Sequence, residues 1–330
     1  MRAPAFWSNL PRAPGWQARL LAPLSWLWAA VAARRLARGA RVRVGVPVIC
    51  VGNITVGGSG KTPAVIALVE RLRARGRVPH VISRGYGGRL EGPLQVEERR
   101  HNAEDVGDEP LLIAPFAPVW IGADRAASAV AAVAAGAEVL VMDDGFQNAG
   151  LAQDLAIVVV DAGFGFGNGR VLPAGPLREP VASGLARAGL VLAIGPAPAR
   201  ESFARDWPEA ARLPLVGAEI RPLRTGMDWG DVRALAFAGI GRPEKFFATL
   251  REEGAEIVAT RSFDDHATYD PRLLSRLRAE AKALGAQLVT TEKDAVRLPP
   301  AVRAEVLPLP VRLGFADPAP LDAALDRLGL

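Results

Sequence analysis

The stretch Val51–Val65, VGNITVGGSGKTPAV, limits what this chain can fold into more than any other. Before its glycines runs VPVICVGNI, apolar and β-branched like a buried strand; after them, Pro63 to Arg75 has helical spacing and is closed by Gly76. Strand, glycine loop, helix is the setting in which a Gly-Lys-Thr holds phosphate. Gly57, Gly58 and Gly60 let main-chain N–H groups turn inward, with Thr55, Val56 and Ser59 completing the wrap. Lys61 then reaches the β and γ phosphates, and Thr62 supplies a hydroxyl to Mg²⁺. Thr55 stands where G-x-x-x-x-G-K-[ST] has its first glycine, a position that opens the turn and contacts phosphate least.

A second apolar run, Ala137–Gln147, ends in adjacent acids, as expected of a strand that delivers carboxylates to magnesium beside the loop. If the strand continues through them, Asp143 and Asp144 point to opposite faces and have different tasks. Strands HVIS, VWIGA, LAIVVVD and VLAIG alternate with helical stretches, which predicts an α/β fold: a P-loop NTPase-like, doubly wound, mostly parallel sheet. A proline-bracketed stretch then leads to a second, smaller α/β lobe with strands near LAFAG, EIVATRSF and QLVTTE. The expected divisions are an N-terminal segment 1–42, a core 43–214, a connection 215–234, the smaller lobe 235–304, and a return strand with a C-terminal helix 305–330. That return strand is expected to pair with the connection as a two-stranded hinge.

The net charge of +5 rests on arginine, since the chain has four lysines, and points to an anionic partner. The single cysteine, Cys50, excludes an intrachain disulfide and a cysteine-cluster metal site. Four of the seven tryptophans fall in the first 28 residues. Between Arg19 and Arg34 lie fourteen uncharged residues, too few for the roughly 20 that a membrane-crossing helix needs, and Pro23 is expected to interrupt them. With Arg34, Arg35, Arg38, Arg41 and Arg43 following, the segment reads as a helix lying on a membrane surface; an apolar hairpin on the protein's own core and a signal peptide are the competing readings. Thr291-Glu292-Lys293-Asp294 misorders a guanine-recognition segment, which favours ATP, and no nucleic-acid-binding pattern is present.

The remaining motifs carry a resemblance. SRGYGG (Ser83–Gly88), GDEP (Gly107–Pro110), DDGFQ (Asp143–Gln147), LPAGPLREP (Leu172–Pro180), FAGIGRPEKFF (Phe237–Phe247), FDDH (Phe263–His266) and TTEKDAVRL (Thr290–Leu298) make the chain resemble the tetraacyldisaccharide 4′-kinase family of lipid A biosynthesis. The resemblance implies transfer of the γ-phosphate of ATP, with Mg²⁺, to the 4′-hydroxyl of an acylated disaccharide lipid at the cytoplasmic face of the inner membrane.

It also implies roles. Asp108, otherwise an ordinary helix-start acid, pairs with His266, otherwise a surface histidine, to take the acceptor's proton. Glu109 joins the metal set, Arg178 stabilises transferring charge, and Glu179 lies near nucleotide and metal; an exposed loop ion pair is the plainer reading of the last two. Arg84, Tyr86, Arg125 and Gln147 are candidate acceptor contacts. Where the family continues DDGFQ with a histidine, this chain has Asn148. The alternative function is a membrane-associated P-loop switch or metal-chaperone NTPase.

Overall fold

Val, Ile and Leu runs form the strands of two sheets in the computed structural model, which describes residues 3–39, 41–265 and 267–330. In chain order the strands are β1 (Val48–Gly52), β2 (Pro79–Ser83), β3 (Leu94–Gln95), β4 (Val119–Ile121), β5 (Val139–Asp143), β6 (Leu155–Asp161), β7 (Leu190–Ile194), β8 (Leu215–Pro222), β9 (Arg233–Ala238), β10 (Glu256–Ser262), β11 (Gln287–Thr291), β12 (Leu307–Leu309) and β13 (Val311–Phe315). The larger sheet has nine strands in the order β13-β8-β7-β6-β1-β5-β2-β4-β3; the smaller has four, β10-β9-β11-β12. Pairing is parallel except at the two edges, β3 with β4 and β13 with β8.

Both faces of the larger sheet are covered, so its central strands are continuously apolar rather than alternating. Ile49 and Val51 of β1 pack with the helix Lys61–Ala74, while Val48 and Cys50 join Ala129 and Ala132 of the helix Arg125–Ala134 on the other face. The smaller sheet is likewise sandwiched, by Pro243–Glu252 and Pro271–Leu284.

The return strand pairs antiparallel with the connection, Leu313 opposite Ile220. Because β8 also pairs with β7, this couple extends the nine-stranded sheet and is not a free-standing hinge. The lobes touch again through ion pairs, Glu292 with Arg312 of β13 at 3.0 Å among them. Asp161 at the end of β6 takes Arg242 at 2.7 Å and Lys245 at 2.8 Å. Asp108 and Glu109 face Lys293 and Arg297.

The N-terminal segment forms α1 (Trp16–Leu20) and α2 (Ala22–Arg38). Pro23 occupies the first turn of α2, where its missing N–H is harmless, so it opens the helix instead of interrupting it. Within α2 only Ser25 is buried; Leu24, Trp26, Leu27, Trp28 and Val31 are exposed. Among the described residues no helix is long and apolar enough to cross a membrane.

Candidate active site

The loop after β1 delivers its glycines to the start of the Lys61–Ala74 helix. Gly60 caps that helix with φ +86°, and a Cβ there would meet Ile194 Cδ1 at 2.8 Å, so only glycine fits the turn. At Gly57 and Gly58 a Cβ would meet nothing, which leaves that side of the loop open to a ligand. The opposite side is stapled: Val56 N–H donates to Pro176 O at 2.8 Å, Arg178 N–H to Ile54 O at 2.8 Å, and Thr55 bridges Leu177. Asn53 Nδ2 donates to Ser59 Oγ at 3.1 Å and steadies the loop from within.

Acids and cations converge at the mouth. β5 ends at Asp143, and Asp144 turns the chain away with φ +48°, so the alternation expected of a continuing strand does not apply and the two acids share one site. Lys61 Nζ lies 3.7 Å from Asp144 Oδ1, and Arg178 Nη2 lies 3.6 Å from Asp144 Oδ2. Asp143 is 1% exposed and accepts from Ser83 Oγ at 3.3 Å. Its carboxyl is pushed up to about 7, chiefly by burial, with Glu109 and Asp144 adding and Lys61 opposing.

Around this centre, Gln147 Nε2 donates to Asn53 O at 2.9 Å and to Glu179 at 3.2 Å, while its Oε1 accepts from Arg178 at 3.1 Å. Both oxygens of buried Glu179 are held by Arg187 at 2.6 Å, whose guanidinium lies 4.4 Å above the Phe146 ring. The exposed Tyr86 turn abuts the start of the helix Asp108–Ile113: a Cβ on Gly107, φ +87°, would meet Tyr86 O at 2.5 Å. Asp108 is buried and bonded to Arg297. Arg84 is exposed, whereas Arg125 is buried behind Asp143, donating to Gly122 O, and burial lowers its proton affinity. His266 lies outside the described residues.

A family model described as LpxK, Tetraacyldisaccharide-1-P 4′-kinase, matches residues 17–329. The chain belongs to the tetraacyldisaccharide 4′-kinase family. A tetraacyldisaccharide 4′-kinase of Dinoroseobacter shibae is 61% identical over 329 residues, covering 99% of this chain and 98% of that one. Another, from Jannaschia sp., is 56% identical with 99% of each covered. The crystal structure of LpxK from Aquifex aeolicus in complex with ATP aligns with a TM-score of 0.74 at 26% identity, over 94% of this chain and 99% of that one. Membership makes the chain an ATP-dependent kinase of lipid A biosynthesis; nothing favours the switch or metal-chaperone alternative.

Against the family's chemistry, the loop residues Thr55, Val56, Gly57, Gly58, Ser59, Gly60, Lys61 and Thr62 lie together at one helix start, with Asp143, Asp144, Glu109, Arg178 and Gln147 around them. Asn148, in the family's histidine position, accepts from Gly150 N–H at 2.9 Å and Leu151 N–H at 3.1 Å, so its carbonyl serves its own turn. Two cations were not assigned from sequence: Lys293, 3.8 Å from Asp108 and 3.9 Å from Glu109, and Arg297. Their spacing of four, which stacks side chains on one helical face, was the available signal.

Proposed function

We propose that ATP seats its β and γ phosphates on the Gly57–Lys61 loop and that the 4′-hydroxyl of the acylated disaccharide approaches from the side of Tyr86 and Arg84. One observation carries this reading: Lys61 and Arg178 meet at Asp144, within 3.7 and 3.6 Å, beside the open glycines and the buried Asp143. Two cations from opposite sides of a phosphate loop match the charge of a phosphoryl group in flight.

Mg²⁺ fits the residues present. Asp143 Oδ1 and Asp144 Oδ1 are buried and accept no hydrogen bond, and all the donors are hard oxygens. Among the described residues no three His, Cys, Asp or Glu side chains form a closed cage, which magnesium beside phosphates does not need, since it keeps waters and takes one or two carboxylates. Thr62, Asp143, Asp144 and Glu109 would hold the ion, which when bound neutralises phosphate charge.

Asp108, with His266, takes the proton from the attacking hydroxyl, and Arg178 steadies the transferring charge. Gln147 and Arg125 act behind the acceptor, one aligning Arg178 and the other walling the acids. Glu179 braces this loop from the nucleotide side. The apolar face of α2 rests on the cytoplasmic face of the inner membrane, where the lipid acceptor resides. The test is Asp108→Ala: turnover falling by about 10²–10⁴-fold with ATP affinity retained supports the assignment. Near-normal turnover removes Asp108 from the reaction.

A further inference from the structure

We infer that Arg297 is a positioning residue for Asp108, so that the catalytic carboxylate of one lobe is oriented by a guanidinium anchored in the other. The inference rests on the role proposed above for Asp108 and goes beyond it, because it makes the apposition of the two lobes part of the acceptor site's geometry.

Asp108 is 5% exposed, and a buried carboxylate needs a partner. Its Oδ1 accepts from the Glu109 N–H at 3.0 Å, within its own helix start. Its Oδ2 accepts from Arg297 Nε at 2.9 Å and also from Nη2. Lys293 Nζ stands farther off, at 3.8 Å. The carboxylate plane is thereby fixed between a main-chain donor of the first lobe and a planar fork of the second, the carboxylate and the fork lying 189 positions apart in sequence.

The fork is itself held. Arg297 Nη1 donates to Gly239 O at 3.0 Å and to Asp294 Oδ1 at 3.0 Å. Asp294 is wholly buried and accepts from Tyr269 Oη at 2.8 Å, Thr291 Oγ1 at 2.6 Å and Gly239 N–H at 3.0 Å. A guanidinium clamped on one edge by a satisfied buried network has little freedom on the other, so it transmits the second lobe's position to Asp108. The Asp161 cluster also joins the lobes, but Arg242 and Lys245 are 40% and 63% exposed and touch none of the site's acids. It supplies a control for simple cohesion between lobes.

The experiment measures kcat, KM for ATP and ATP affinity for Arg297→Gln, Arg297→Lys, Asp108→Ala, Asp108→Ala/Arg297→Gln and Arg242→Gln in the full chain, using a tetraacylated disaccharide 1-phosphate in mixed micelles. Misplacement by about 1 Å can cost 10²-fold, so Arg297→Gln is expected to lose about 10²-fold in kcat with KM for ATP unchanged. Arg297→Lys, which keeps the charge without the fork, retains more; the double variant is no slower than Asp108→Ala; and Arg242→Gln stays near the parent. Added methylguanidinium partly restores Arg297→Gln, which a general folding defect would not allow. Normal kcat for Arg297→Gln beside an inactive Asp108→Ala overturns the inference alone, as do additive losses or equal losses in Arg242→Gln. Normal kcat for Asp108→Ala overturns the Asp108 assignment and the inference with it. If Arg297→Gln does not fold, the Arg297→Lys comparison decides, and full activity in that variant overturns the oriented fork.

Discussion

Trp28 Nε1 donates to the main-chain carbonyl of Arg178 at 3.3 Å, tying the exposed N-terminal helix to the segment that staples the phosphate loop. One turn away, Ser25 Oγ donates to Val171 O at 2.7 Å and accepts from Ala174 N–H at 3.1 Å. α2 is thus attached through polar contacts to residues 171–178, while its apolar side chains face outward.

The membrane role proposed above for α2 makes this outward face its lipid contact. Burying one such side chain contributes about 1.5–3 kcal/mol, so Trp26→Gln with Leu27→Gln is expected to weaken partitioning onto anionic vesicles by about tenfold or more. ATP affinity and melting temperature should not change, because both residues are exposed. Vesicle flotation checks this; unchanged partitioning would assign the face to another role.

Arg187 braces the loop through buried Glu179, and removing one partner of a buried ion pair strands the other charge. Arg187→Ala is expected to destabilise the fold by about 3–5 kcal/mol, measured by urea unfolding, and Arg187→Ala with Glu179→Gln should recover part of the loss. The exposed Arg221–Glu219 pair offers the contrast, since breaking it should cost about 0–1 kcal/mol.

Asp143 sets a pH dependence. In the metal-free protein its pKa rises from 3.8 to about 7, so between these values the folded state holds a proton that the unfolded chain has lost. This group's contribution therefore makes stability fall as pH rises through that window and level off above it. Mg²⁺ requires the carboxylate, so the rise in melting temperature produced by Mg²⁺ should be larger at pH 8 than at pH 6, and Asp143→Asn should flatten the difference. Equal Mg²⁺ shifts at both pH values would place the metal elsewhere.

Much of this was legible in the sequence where local pattern decides structure. The glycine loop with its flanking strand and helix, the Ala137–Gln147 strand and the smaller lobe's strands all follow from periodicity and turn residues. What escaped depends on distant partners. Pro23 reads as a breaker until its position at a helix start is known, and Asp144 reads as strand until its turn is seen. Arg297 meets Asp108 only because two lobes come together, and Glu179 is engaged by Arg187 from the far end of the short helix Val181–Leu185. No spacing rule reports such contacts.

The phosphate proposed to sit at Lys61 is destined for a lipid hydroxyl. Transfer of labelled γ-phosphate from ATP to a tetraacylated disaccharide 1-phosphate, followed with the parent chain and with Lys61→Ala, tests it most directly. Labelled lipid is expected from the parent, with a loss of about 10²–10³-fold or more in the variant, whose melting temperature stays close to the parent's. Label released only to water, or lipid labelled equally well without Lys61, would contradict it.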